Sequence, residues 1–179
     1  MISESAKHSI DGVFARAASI SLALGDSDYV DVKPLAGNAE SEYGHRNILV
    51  LTISSFVFRL VTIFHVTPES RISRYFGRGD EQRPFQETFG EIGNLCCGAM
   101  NRELGSHFPH LGMSTPYLLG GRCAGHLASL GASHTSRHLI TINGNMDLMA
   151  TLCLCAYAPL DFRISAPSEP SSAGDIEFF

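Results

Sequence analysis

The chain lacks a long apolar run, a basic run and any ready-made catalytic signature, and each absence removes a class of function. Its longest apolar stretch, 148–160, is too short and too rich in β-formers to cross a bilayer as a helix. Glu4 stands where a secretion signal has its basic region, so a cytoplasmic protein is expected. No Lys/Arg cluster is interleaved with aromatics and the net charge is −5, so no nucleic-acid partner is expected. The five cysteines are an odd number and none is spaced as a secreted disulfide framework. Reduced, mostly buried thiols are the expectation. The sequence contains no CxxC, GxSxG, HExxH, GxGxxG or phosphate-binding Gly-Lys loop. His107 and His110 are three apart and His134 and His138 four apart, but no carboxylate or cysteine accompanies either pair at ligand spacing. No metal site is expected.

What is present suits one globular domain. With 179 residues, 44% hydrophobic and 17% charged, the chain is long enough for a real core. A first helix is expected over 3–22, with Ala6, Ile10, Val13, Phe14, Ala17 and Ala18 on one face and Ser3 or Ser5 as its cap. A short strand follows at 29–33, then a polar loop over 36–46. Residues 47–53 and 58–66 read as strands. Both of their alternating sets are largely apolar, which predicts a sheet covered on both faces at least in part. Thr67-Pro68-Glu69-Ser70 predicts a helix capped by Thr67, with Gly77 as its stop. Residues 78–83 form a charged connector. A strand is expected over 114–121, and 122–136 gives no clear pattern. Residues 137–142 and 148–157 form a hairpin around Asn143-Gly144-Asn145. The domain is expected to span 1–163, with 164–179 as a flexible tail. Helix followed by about three strands occurs in each half, which suggests a duplicated architecture without a residue-level repeat.

The most informative stretch is 85–104, FQETFGEIGNLCCGAMNREL. Phe85, Phe89, Ile92, Cys96 and Ala99 recur at spacings of four and three, giving one apolar stripe of a helix opened by Pro84 and closed by Gly105. At about 100° per residue, Glu87, Glu91, Asn94, Gly98 and Asn101 fall on the other side. Gly90, Gly93 and Gly98 each weaken a helix by about 1 kcal/mol relative to alanine. Glycines at that cost point to close approach of another element or a partner. Glu91 and Asn94, three apart, are surface neighbours. A carboxylate can pair with a partner's lysine, and a carboxamide can hold a water against a phosphoryl group; the alternative is two solvated residues on an exposed face.

Glu91-Ile92-Gly93-Asn94, followed by small residues and Gly98, resembles the E-x-x-N motif of the CheC/CheX/FliY chemotaxis phosphatases, which dephosphorylate the response regulator CheY. The order of elements over roughly 5–160, including Ser114-Thr115-Pro116, is similar to CheX. A single motif favours a CheX-like reading, since the first helix offers only Asp11 and Phe14 where a second pair would stand. The resemblance implies an α+β fold, an antiparallel sheet with long helices packed on it. It implies hydrolysis of phosphoaspartate on a CheY-type receiver, with Asn94 orienting the water and Glu91 pairing with the receiver's lysine. Glu87, Gly98 and Asn101 would contact the partner. The divalent metal, Mg, would be the receiver's, with no cofactor in this chain, and a homodimer is implied. The alternative is a CheX-like adaptor that binds a receiver or signalling partner without catalysis.

Overall fold

The computed structural model describes residues 1–35, 47–67, 69–78 and 84–165. The loop expected at 36–46, Pro68, all but Arg78 of the charged connector and residues 166–179 of the tail lie outside the described residues. The first helix, α1, spans Glu4–Leu22, and the Ser3 side chain accepts from the Ala6 N–H at its start. Strands β1 (Val30–Pro34), β2 (Asn47–Ser54) and β3 (Phe58–Val66) follow. Then come α2 (Ser70–Phe76) and the long α3 (Phe85–Gly105). Strands β4 (Gly112–Met113) and β5 (Tyr117–Gly120) precede a 3₁₀ helix over Gly121–Leu130. The last hairpin is β6 (His134–Ile142) and β7 (Met146–Ala156).

These strands make one seven-stranded sheet in the order β1-β6-β7-β3-β2-β4, with β5 also on β2, and every pairing is antiparallel. The fold is α+β, as expected. Exchanging the two halves reverses the six-strand path, but among the described residues β5 has no counterpart in the first half.

Alternation along the strands builds two cores. Leu49, Leu51, Leu60, Phe64, Leu152 and Leu154 face the helices, where Phe14, Phe89, Ile92, Cys96 and Met100 meet them. Ile48, Val61, Ile63 and Cys153 face the other way, and Ala124, Leu127 and Leu130 of the 3₁₀ helix cover them. That second layer is why both alternating sets of β2 and β3 are apolar. It also accounts for part of the unassigned stretch 122–136, whose remainder opens β6.

Three expectations need correction. Helix α2 begins at Ser70 after Glu69, not at a Thr67 cap, and Glu69 makes no side-chain cap bond. The Thr67 carbonyl instead accepts from the Glu69 N–H at 2.7 Å, so Thr67 belongs to the turn before the helix. The strand expected at 114–121 is interrupted. Met113 pairs with Ile53 and Tyr117 with Val50, so Ser114-Thr115-Pro116 oppose only two residues of β2. This is a bulge. Pro116 has no N–H for the ladder, while Ser114 donates to Thr52 O and its hydroxyl accepts from Thr52 N. Finally, Ile164, assigned to the tail, packs on the core and its N–H donates to Ser9 Oγ.

Helix α3 is seated by its glycines. A Cβ on Gly93 would stand 2.4 Å from Leu49 Cδ2 and 3.2 Å from Leu51 Cδ1, both fully buried side chains of β2. One turn earlier, a Cβ on Gly90 would meet Pro116 Cγ of the bulge at 3.9 Å. Gly93 thus lets the helix lie against the sheet. Gly93→Val is expected to lower the unfolding free energy by about 1–3 kcal/mol, because overpacking at a closed contact outweighs any gain in helix propensity. A urea midpoint unchanged from the parent chain would refute this seating.

Candidate functional site

The two faces of α3 fall where the periodicity places them. Phe89, Ile92 and Cys96 are buried, and Phe85 and Ala99 are partly so. Cys97, Met100 and Leu104 widen the buried stripe. Burial pushes the Cys97 thiol up to about 12 and raises Cys96 too, so both stay protonated as core hydrophobes. The helix is fixed at both ends. Phe89 meets Phe64 and Phe76 edge-on and stacks on Phe85 near the N-terminus. Near the C-terminus, Arg16 of α1 donates through Nε to Glu103 Oε1 at 3.1 Å and also through Nη2.

On the outer face, Glu87, Glu91 and Asn94 are all exposed. The Asn94 carboxamide has no hydrogen-bond partner among the described residues, so its donors and its acceptor are open to an incoming group. Asn94 follows directly on Gly93, so the glycine that fixes the helix against the sheet also fixes the amide's position. Gly98 is half-buried, one turn further on. Asn101 departs from expectation. Its Oδ1 is buried and without a hydrogen-bond partner, so this residue does not join the exposed set. Seven residues bring it nearly under Asn94, about 20° round the helix toward the buried stripe. Leu95, not singled out by the motif, is 63% exposed beside Asn94. An apolar residue breaking the polar face was its only signal in the sequence.

The first helix offers no comparable pair. Phe14 is buried against Phe64 and His138, and Asp11 accepts a hydrogen bond from Ser136 Oγ at 2.5 Å on β6. Cavities of about 440 Å³ under the 3₁₀ helix and 390 Å³ beside Asp11 and His138 include neither Glu91 nor Asn94. Glu91 and Asn94 lie on the exposed face of α3, an arrangement suited to enter another molecule's pocket.

His107 contacts Ser106 Oγ and the Arg163 carbonyl, and His110 is exposed. Among the described residues no group of three or more His, Cys, Asp or Glu side chains could hold a metal ion. His138 is 2% exposed, with Nε2 3.5 Å from Asp11 Oδ1. Burial pushes its pKa below the ordinary 6.5, against the pull of Asp11, and burial lowers His134 likewise. The fold holds both rings neutral, whereas the unfolded chain takes up protons near 6.5. Their contribution is complete above that value and is lost as pH falls through the folded pKa. Unfolding free energy is thus expected to drop as pH falls below about 6.5, and less steeply in His138→Asn; denaturant titrations across pH 5–8 would check the slope.

No protein-family model matches the chain, and no curated protein sequence does. Solved structures do. The chain is similar to the chemotaxis protein CheX from Vibrio vulnificus, with 16% identity over 81% of this chain and 98% of that one, at a TM-score of 0.59. It is similar to CheX of Borrelia burgdorferi in a CheX-CheY-BeF3-Mg complex, with 12% identity over 80% and 96% and a TM-score of 0.60. A CheC-like superfamily protein from Shewanella sp. PV-4 matches at 8% identity over 85% and 98%, with a TM-score of 0.52. The chain has the fold of the CheC/CheX/FliY proteins. Among the described residues no helix is long and apolar enough to cross a membrane.

Proposed function

We propose that this chain accelerates hydrolysis of the phosphoaspartate on a CheY-type response-regulator receiver. One observation carries the reading: an exposed, unpartnered carboxamide, Asn94, stands on a helix locked to the sheet by Gly93. The fold gives that observation its context, because a CheX of the same fold has been solved with CheY, BeF3 and Mg.

The chemistry asks little of this chain. Hydrolysis of a phosphoryl group depends mainly on in-line placement of water and on charge stabilisation. The receiver supplies the phosphoaspartate and its divalent metal, and with it most of the charge stabilisation. Asn94 enters the receiver's active site, where its oxygen accepts from the attacking water and its NH₂ donates to a phosphoryl oxygen. Glu91 pairs with the receiver's lysine and sets the docking register. Glu87 and Leu95 lie on the same side as further contacts, and at Gly98 the partner would meet the Arg102 side chain that lies over it. A cytoplasmic homodimer is part of the same proposal. Strand pairing would use an open sheet edge; among the described residues β1, β4 and β5 each have one edge without a strand partner, and β5 carries exposed Tyr117 and Leu119.

The test is the rate of phosphate release from a phosphorylated receiver with and without this protein at equal metal concentration. Acceleration supports the reading. A receiver that is retained in a pull-down but loses phosphate at its own rate would assign an adaptor instead.

A further inference from the structure

The exposed face of α3 ends in a charge that the hydrolytic step leaves unused. Arg102 is exposed, and its Nη1 lies 3.7 Å from where a Cβ on Gly98 would sit. The guanidinium therefore folds back over Gly98 toward the motif, in the direction helical side chains take. Nothing on its own helix neutralises it. The positions three and four away are Gly98, Ala99, Gly105 and Ser106, and none is a carboxylate. The adjacent Glu103 is engaged by Arg16 of α1. Among the described residues Arg102 makes no ion pair.

Arg102 also lies on the motif's own stripe. Eleven residues separate it from Glu91, close to three full turns and roughly 16 Å along the axis. From N- to C-terminus the stripe presents Glu87, Glu91, Gly98 and Arg102, with Asn94 alongside. Acid at one end and base at the other give it a polarity.

We propose that Arg102 is a partner-binding residue that pairs with a carboxylate at the rim of the receiver's metal-holding pocket and, with Glu91, fixes the direction in which α3 lies on the receiver. This rests on the phosphatase reading. A pocket that holds a divalent cation is built from carboxylates, and phosphorylation adds negative charge. A helix bearing only Glu87 and Glu91 would meet that rim with like charge. Arg102 supplies the opposite sign at the other end of the contact. Reversing the helix would set the carboxylates against carboxylates, so the wrong orientation is disfavoured as well as the right one favoured. The guanidinium is too far along the helix to replace Asn94, so it acts on docking rather than on the water.

The test compares Arg102→Glu, Arg102→Ala and Arg102→Lys in the full chain, using phosphate release for kcat and KM and binding to a beryllofluoride-loaded receiver for Kd. Arg102→Glu is expected to raise KM and Kd about tenfold, with kcat within about twofold, and Arg102→Lys to keep most of the affinity. The gap between parent and Arg102→Glu should narrow as salt rises. An Arg102→Glu chain with KM and Kd within twofold of the parent overturns the proposal, as does a fall in kcat at constant KM. A parent chain that binds the receiver without accelerating release removes the phosphatase reading, and Kd alone then decides the role of Arg102. A parent chain that neither binds nor accelerates overturns both.

Discussion

Asn94→Ala is expected to remove about 100-fold of the acceleration this chain gives to receiver dephosphorylation. The magnitude follows from the task assigned to the amide. Misplacing a reacting group by about 1 Å costs roughly 100-fold, and losing one oriented donor at a developing charge costs about 100- to 1,000-fold. On the proposed mechanism, Asn94→Ala would remove the water's acceptor and a phosphoryl donor together. It should do so without harm to the fold, because Asn94 is exposed and makes no hydrogen bond to other described residues. Stability should stay within about 0.5 kcal/mol of the parent. The pattern that identifies the role is a fall in kcat with Kd for a beryllofluoride-loaded receiver unchanged within a few-fold, since Glu91 and the rest of the face remain to dock. Phosphate release at the parent rate would remove Asn94 from the mechanism. Equal loss of binding and rate would make it a docking residue only.

How much of this could be read from the chain depended on whether the signal was local. Helix α1 begins after Ser3 because a serine oxygen can take the Ala6 N–H, and that is written in neighbouring residues. The hairpin turn uses Asn143 and Gly144, both at positive φ, which is what Asn-Gly provides. The helix over 85–105 was legible from its apolar period and from Pro84. Features made by distant residues were not. The 3₁₀ helix over 121–130 places Ala124, Leu127 and Leu130 at the three-residue repeat of that helix type, a signal short and diluted by Gly, Ala and Ser; they cover Ile48, Val61 and Ile63 on the outer face of the sheet. The bulge at Ser114-Thr115-Pro116 is defined only against β2. Asn101 shares the motif's face by angle, yet its oxygen is enclosed by neighbours that the helix period does not know about. Glu91 and Asn94 could be proposed from the motif, but exposure of the amide is a property of the folded chain. The glycines divided in the same way. Gly93 approaches the sheet, whereas a Cβ on Gly98 would meet only the arginine of its own helix.

Phe89→Ala should be the most damaging change in the helix that carries the motif. Phe89 is 1% exposed and joins three elements: its ring centroid lies 5.9 Å from Phe64 of β3, 5.1 Å from Phe76 of α2 and 5.3 Å from Phe85 of α3 itself. Truncation loses the burial of a whole aromatic ring and leaves a cavity between rings that cannot all close on it. The expected cost is about 3–5 kcal/mol, a large share of the roughly 5–15 kcal/mol available to a domain. For a chain of this size that is a fall in melting temperature of roughly 6–20 °C. Phe89 is two residues before Glu91, so the same loss loosens the end of α3 that presents Glu87 and Glu91, while Gly93 still rests on Leu49 and Leu51. In the fraction that remains folded, KM for the receiver should therefore rise before kcat falls. Calorimetry together with steady-state phosphate release separates the two effects. A Phe89→Ala chain that melts within about 2 °C of the parent would mean the aromatic cluster does not hold the helix, and the position of Asn94 would need another support.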